Sequence, residues 1–221
     1  MIDIRDLRYR WPRAATDCIA IHSLDVADGA AVFLHGPSGC GKSTLLGLLA
    51  GVLLAREGRV SVMGQDWAAL SASRRDATRA DHVGYIFQQF NLLPYLNVLD
   101  NVLLPCRFSA SRARRAPAGS AETLLQQVGL ARDTWLQPAA ELSVGQQQRV
   151  AAARALIGRP ELVIADEPTS ALDAALRDGF MDLLLSACRA AGSTLVFVSH
   201  DERLAARFER RLSLPELNRA A

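Results

Sequence analysis

Gly36-Pro37-Ser38-Gly39-Cys40-Gly41-Lys42-Ser43-Thr44 fits G-x-x-x-x-G-K-[ST], the pattern of a glycine-rich loop that joins a strand to a helix and holds phosphate. Both flanks suit it. Ala31-Val32-Phe33-Leu34-His35 before the loop is short and apolar, as a buried strand is, and Leu45-Leu46-Gly47-Leu48-Leu49-Ala50 after it suits a buried helix. The glycines let backbone N–H groups turn inward around phosphate oxygens at the helix N-terminus. Lys42 is then expected to reach the β- and γ-phosphates, and the Ser43 hydroxyl to ligate Mg²⁺. The stretch reads as a nucleoside triphosphate site.

With 221 residues, the chain makes one large domain or one domain with an inserted lobe. A hydrophobic fraction of 50% and a charged fraction of 22% belong to a globular protein. A net charge of +2 implies no strongly basic face, so no nucleic-acid partner is expected. The arginine groups Arg74, Arg75, Arg79 and Arg112, Arg114, Arg115 are expected on solvated faces or loops. Residues 1–6 carry acids where a signal peptide would need a basic start and an apolar run. The longest apolar stretch, Leu45 to Ala55, is shorter than the roughly 20 residues that cross a bilayer. The expectation is a cytoplasmic protein whose membrane role comes through a partner. Its cysteines (Cys18, Cys40, Cys106, Cys188) form no C-x-x-C pair, so neither a metal site nor a disulfide framework is expected. Cys40 reads as a small loop filler.

Outward from the loop, Ile2 to Trp11 and Cys18 to Val26 alternate apolar and polar residues, as half-buried antiparallel strands do. Asp28-Gly29 turns into the strand that feeds the loop. Trp11 is either an ordinary packed aromatic or a ring placed to stack on a base. Gly58 to Met63 is a further strand, and Leu70 to Asp81 a polar surface helix or loop. His82 to Phe87 returns to a buried strand and stops at Gln88-Gln89, the strand end where α/β sheets bind ligands. No alternating pattern occurs between Phe90 and Leu156, which reads as an inserted helical lobe. Within it, a short helix from Val98 to Leu104 is stopped by Pro105, Arg107 to Ser120 is a loop ending in a helix start, and Glu122 to Val128 is a helix capped by Gly129. Ser143 N-caps the next helix with Gln146 three residues on, a capping box, and such a helix start is also an anion site.

Leu162-Val163-Ile164-Ala165 is a buried strand ending in Asp166-Glu167-Pro168. Two carboxylates at such a strand end are costly unless they meet a metal or do chemistry. Asp166 is expected to help hold Mg²⁺, and Glu167 to orient or deprotonate the attacking water. Pro168 disfavours helical geometry at Glu167 and so turns it toward the site. Ser170 to Asp173 is a tight connection, Leu176 to Ala190 a helix, and Thr194 to Val198 a strand that ends in Ser199-His200-Asp201. His200 falls at a strand end, where it can bond the γ-phosphate. Phe208 to Leu214 reads as a last strand.

Taken together, the loop Gly36–Thr44, Gln88, Leu142-Ser143-Val144-Gly145-Gln146, Leu162–Glu167, Ser170–Asp173 and His200 stand in the order found in the ATPase subunit of an ABC transporter, which the whole chain resembles. The stretch Tyr85 to Pro94 further resembles the branch that serves lipoprotein release and macrolide or peptide export. The resemblance implies an α/β fold with a RecA-like P-loop NTPase core, an N-terminal antiparallel β subdomain and an inserted α-helical subdomain. In residue terms it implies core segments 1–88 and 157–221 with a helical subdomain at 89–156. It implies ATP hydrolysis with Mg²⁺, the metal held through Ser43, Gln88 and Asp166. Glu167, Gln88 and His200 are the implied catalytic residues, and Trp11 matches the aromatic that stacks on adenine. A second ATPase subunit would meet the first head to tail, so that the signature residues Ser143, Gly145 and Gln146 face the partner's nucleotide, and Asp173 is a further implied nucleotide-binding residue. Integral-membrane subunits would dock on Gln88 and Leu92–Leu104, holding the protein at the inner membrane face. One residue departs from the family pattern Leu-Ser-Gly-Gly-Gln: Val144 stands at its first glycine, and a β-branched residue is tolerable there only at negative φ. A soluble ABC-type ATPase acting on ribosomes or DNA is the weaker alternative, since such relatives carry two ATPase domains or long insertions. A small-molecule kinase would leave Gln88, Ser143 and His200 without a shared explanation.

Overall fold

The computed structural model describes residues 1–170 and 174–220. β1 (Ile2–Tyr9) pairs antiparallel with β2 (Ile19–Val26), and β3 (Ala31–His35) leads through the glycine-rich loop into α1 (Lys42–Leu49). β4 (Glu57–Val62) and the two-residue β5 (Gln65–Asp66) follow, then α2 (Ala72–His82) and β6 (Val83–Ile86). Four helices come next: α3 (Val98–Phe108), α4 (Ala110–Arg115), α5 (Ser120–Gln127) and α6 (Val144–Leu156). The chain ends with β7 (Leu162–Asp166), α7 (Ala174–Ala191), β8 (Thr194–Val198), β9 (Arg210–Ser213) and α8 (Leu214–Leu217).

Two sheets result. The antiparallel one runs β2-β1-β4-β5, and the second runs β6-β7-β8-β3-β9 with every pair parallel. Side chains of the parallel strands alternate between two cores, as a period of two requires. Val32, Leu34, Leu162, Ile164, Val196 and Val198 point to the side of α1 and the antiparallel sheet. Phe33, Val163, Ala165, Leu195 and Phe197 point to the opposite side, against α6 and α7. Buried on both faces, these strands carry the near-continuous apolar runs that the sequence displays. The helices between Val98 and Ile157 close a third core around Val102, Leu125, Trp135 and Val150.

α6 lies flush on β6 because Gly84 has no side chain. A Cβ there would stand 2.2 Å from the Ala155 carbonyl oxygen and 3.1 Å from Pro160 Cγ. Arg112 secures the same contact. It is 2% exposed, and its guanidinium donates to the carbonyls of Ile157 (2.9 Å), Val83 (3.2 Å) and Ala155 (2.7 Å). Burial pulls its pKa down to about 10, as removal of a cation from water must. Arg112 therefore corrects the expectation of a solvated arginine.

Two further expectations are corrected in this region. The helix from Val98 continues through Pro105 to Phe108. Proline removes only the N–H that would have bonded to Asn101, and Ser109 N–H still donates to the Pro105 carbonyl at 3.1 Å. Arg107 to Ser120 contains α4, whose N-cap Ser109 accepts from Arg112 N–H at 2.9 Å. Near the C-terminus, strand geometry ends at Ser213, and Leu214 opens α8.

Candidate active site

The glycine-rich loop leaves β3 at Gly36 and enters α1 at Lys42, with Gly39 (φ 81°) and Gly41 (φ 103°) in conformations that L side chains rarely adopt. Both turn the chain so that Ser38, Gly39, Gly41, Lys42, Ser43 and Thr44 line a cavity of about 450 Å³. Gly36, Pro37 and Cys40 lie behind it. The Lys42 ammonium folds back on the loop and donates to the carbonyls of Gly36 (2.8 Å) and Pro37 (3.0 Å). Trp11, Gln88, Asp166 and Glu167, from three separate segments, complete the lining. Trp11 is 46% exposed and packs edge-on against Tyr9, with centroids 5.4 Å apart.

Asp166 ends β7, and burial followed by the neighbouring Glu167 charge hold its carboxyl above the ordinary range. Lys42 and hydrogen bonds from Ser43 and Tyr85 oppose that rise. Glu167 is held from several sides. Its carboxylate is 2.9 Å from His200 Nδ1 and 4.0 Å from Lys42 Nζ, and its backbone N–H donates to the Val198 carbonyl at 3.0 Å. Its φ is 46°, the left-handed region, outside the right-handed helical geometry that Pro168 disfavours. Such a conformation costs of order 1 kcal/mol and persists only where surrounding bonds impose it. One of them comes from α6: Gln148, 1% exposed, donates Nε2 to the Pro168 carbonyl at 2.7 Å.

The cavity offers oxygen donors to a hard cation. Among the described residues, no cluster of three or more His, Cys, Asp or Glu could cage a metal. One half-buried carboxylate and a serine hydroxyl, completed by phosphate oxygens and water, are instead what Mg²⁺ accepts.

His200 lies at the edge of a second cavity of about 310 Å³ beside Ser170, Arg177 and Asp201, and it meets the first through Glu167. Ser143, Gly145 and Gln146 line neither. They open α6, where Ser143 Oγ accepts from Gln146 N–H (3.4 Å) and Gln146 Oε1 accepts from Ser143 N–H (2.8 Å), the reciprocal pair expected of a capping box. Val144 is the first helical residue, has no positive φ and is 48% exposed, so this backbone does not require glycine there. Asp173 lies outside the described residues. Sequence reading had missed three residues here. Cys18 lines the cavity, its thiol 3.6 Å from Thr44 Oγ1; Tyr85 bonds Asp166; and Gln148 braces Pro168. Of these only Tyr85 carried a signal, a hydroxyl inside an apolar strand beside a strand that ends in carboxylates.

Comparison with known proteins gives a consistent picture. A family model described as ABC transporter matches residues 20–170. The chain is 46% identical over 191 residues to the ABC transporter ATP-binding protein YbbA of Escherichia coli K12, a match covering 86% of this chain and 83% of that protein. It is also 46% identical over 198 residues to the lipoprotein-releasing system ATP-binding protein LolD of Anaeromyxobacter dehalogenans, covering 88% and 82%. Its fold is similar to the ATP-binding cassette MJ0796, solved as a dimer in a post-hydrolysis state with ADP and Pi. That match has a TM-score of 0.85 and 31% identity, over 100% of this chain and 98% of the other.

Proposed function

This chain belongs to the ABC transporter family, and from that premise we propose how its residues divide the work of an ATPase subunit that drives lipoprotein or peptide extrusion. The observation that carries the reading is the single cavity shared by the glycine-rich loop, Gln88, Asp166 and a Glu167 already bonded to His200. Loop N–H groups and the Lys42 ammonium hold the triphosphate of ATP, and Trp11 stacks on the base. Ser43, Asp166 and Gln88 would hold Mg²⁺, which when bound neutralises phosphate charge. Glu167 orients the attacking water and accepts its proton, and His200 fixes the carboxylate that does so.

Among the described residues no helix is long and apolar enough to cross a membrane. Coupling to transport is assigned to partner subunits in the inner membrane, with this chain on their cytoplasmic side. Residues 89–156 form the lobe that meets them. A groove of about 560 Å³ between α2, β6 and α3 supports this, with Phe87, Leu104, Pro105 and Phe108 as apolar walls and Asp76 and Arg79 at its edge. It suits one amphipathic helix of a membrane subunit. Ser143, Gly145 and Gln146 sit away from this chain's own cavity, which favours their use on the ATP of a second copy facing head to tail. The relative solved as a dimer with ADP and Pi supports a second copy.

ATP hydrolysis measured against protein concentration, for wild type and Glu167→Gln, tests the reading. Wild-type turnover is expected to rise cooperatively with concentration. The variant should bind ATP, elute as a dimer with it, and turn over about 10²- to 10⁴-fold more slowly, the usual worth of a positioned base. Robust hydrolysis by Glu167→Gln would overturn the assigned role.

A further inference from the structure

The C-terminal segment lies directly beneath the glycine-rich loop. Leu214 is fully buried, and a Cβ placed on Gly36 would stand 3.0 Å from Pro215 Cδ and 3.6 Å from Leu214 Cβ. Four residues on, Asn218 reaches the far end of the same loop. Its Nδ2 donates to the carbonyls of Cys18 (3.0 Å) and Cys40 (3.4 Å), while its Oδ1 accepts from the N–H groups of Ala20 (2.7 Å) and Ala220 (3.2 Å). Both donors face acceptors and the oxygen faces only donors, so the amide fits in one orientation. No other residue type of this length supplies two donors and an acceptor from one branch point.

The two carbonyls belong to two segments that meet at the cavity. Cys18 borders the segment that carries Trp11, and Cys40 begins the peptide whose N–H belongs to Gly41. A trans peptide is planar, with its C=O and N–H pointing in opposite directions. Holding the Cys40 carbonyl back on Asn218 therefore turns the Gly41 N–H forward, and Gly41 lines the cavity while Cys40 does not. The fit is close: a Cβ on Gly41 would lie 2.6 Å from Ile19 Cδ1 and 3.4 Å from the Cys18 carbonyl.

We propose that Asn218 is a positioning residue for the nucleotide: its carboxamide clamps the Cys18 and Cys40 carbonyls together, setting the spacing between the Cys18 segment and the glycine-rich loop and aiming the Gly41 N–H at phosphate. This rests on the reading of the cavity as the ATP site. Asn218 touches no reacting atom, so its loss weakens ATP binding and leaves the chemical step at saturation nearly as it was.

Titration with a fluorescent ATP analogue and steady-state ATPase kinetics on Asn218→Ala, Asn218→Asp and Lys42→Ala test the proposal, with stoichiometry reporting the folded fraction. Asn218→Asp keeps the acceptor for Ala20 and Ala220 but loses both donors. A residue that only tied down the C-terminus would survive that change. Here Asn218→Asp is expected to raise the dissociation constant and KM about fivefold to twentyfold, at least as much as Asn218→Ala, with kcat within about twofold. Wild-type affinity in the folded fraction of Asn218→Asp, with binding lost in Lys42→Ala, overturns the clamp alone. Undiminished binding by Lys42→Ala overturns the site itself.

Discussion

Gly84→Ala tests the seating of α6 on β6. The added methyl would meet the Ala155 carbonyl oxygen at 2.2 Å, whereas ordinary contact begins at 3.4 Å, so about 1 Å of separation is needed. The helix is not free to give way, since Arg112 bonds the carbonyls of both Ala155 and Ile157. Overpacking of this kind costs about 1–3 kcal/mol, and the upper end applies where the obstacle is backbone. A weakened Arg112 bond adds about 1 kcal/mol. The smaller unfolded-state entropy of alanine returns about 0.4–1 kcal/mol, because Gly84 has no positive φ. The net is a loss of about 3 kcal/mol, and for a chain of this length a fall in Tm of about 6–12 °C. Scanning calorimetry measures it. Gly179→Ala on α7 is the matched control: nothing lies within 4 Å of its Cβ position, and its Tm should rise slightly. A Gly84→Ala protein as stable as wild type would refute the steric reasoning, whatever its activity.

Three other outcomes are expected. Val144→Gly should lower Tm by only about 1 °C, the difference in helix propensity, and leave ATPase activity within about twofold of wild type or above it; a large loss would show that the valine side chain is required. Arg112→Met should destabilise by about 4 kcal/mol in a urea melt, because three buried carbonyls lose their donor together. Asp201 is held down to about 2, first by its hydrogen bond from Arg203, and also by Arg177. Its folded value lies below the unfolded 3.8, so its stabilisation is present above that pH and disappears as pH falls through the interval. The deficit of Asp201→Asn, about 1 kcal/mol after solvent screening, should be full at pH 6 and shrink as urea melts move toward pH 3.

The strands and the loop were legible because their signals are local. β3, β7 and β8 are short apolar runs; the glycine-rich loop follows β3, Asp166 ends β7, and Ser199 and His200 follow β8. Ser143 and Gln146 announce the start of α6 three residues apart. Arg112 was misread because a guanidinium that satisfies three backbone carbonyls leaves the same one-letter trace as Arg114 beside it, which packs on nothing comparable. Pro105 misled for a related reason: a proline breaks one hydrogen bond, and whether the helix survives depends on what packs against it. Asn218 gave no signal either. Its partners, Cys18 and Cys40, are 200 and 178 residues away in sequence, and only the return of β9 and α8 beneath the loop brings them together.

The bond from Gln148 to Pro168 makes α6 a rod with cargo at two points. Four residues from Val144, or about 6 Å along the axis, the same helix grips the carbonyl of Pro168, the residue after Glu167. Its outer tip is free to touch a neighbour, while its shaft is fastened to the base of this chain's own cavity. A tilt imposed at the tip is therefore delivered to Glu167 without any intervening loop to absorb it. In the proposed pair, each copy would feel its neighbour's nucleotide through one rigid turn of helix, and the two cavities would keep time with each other.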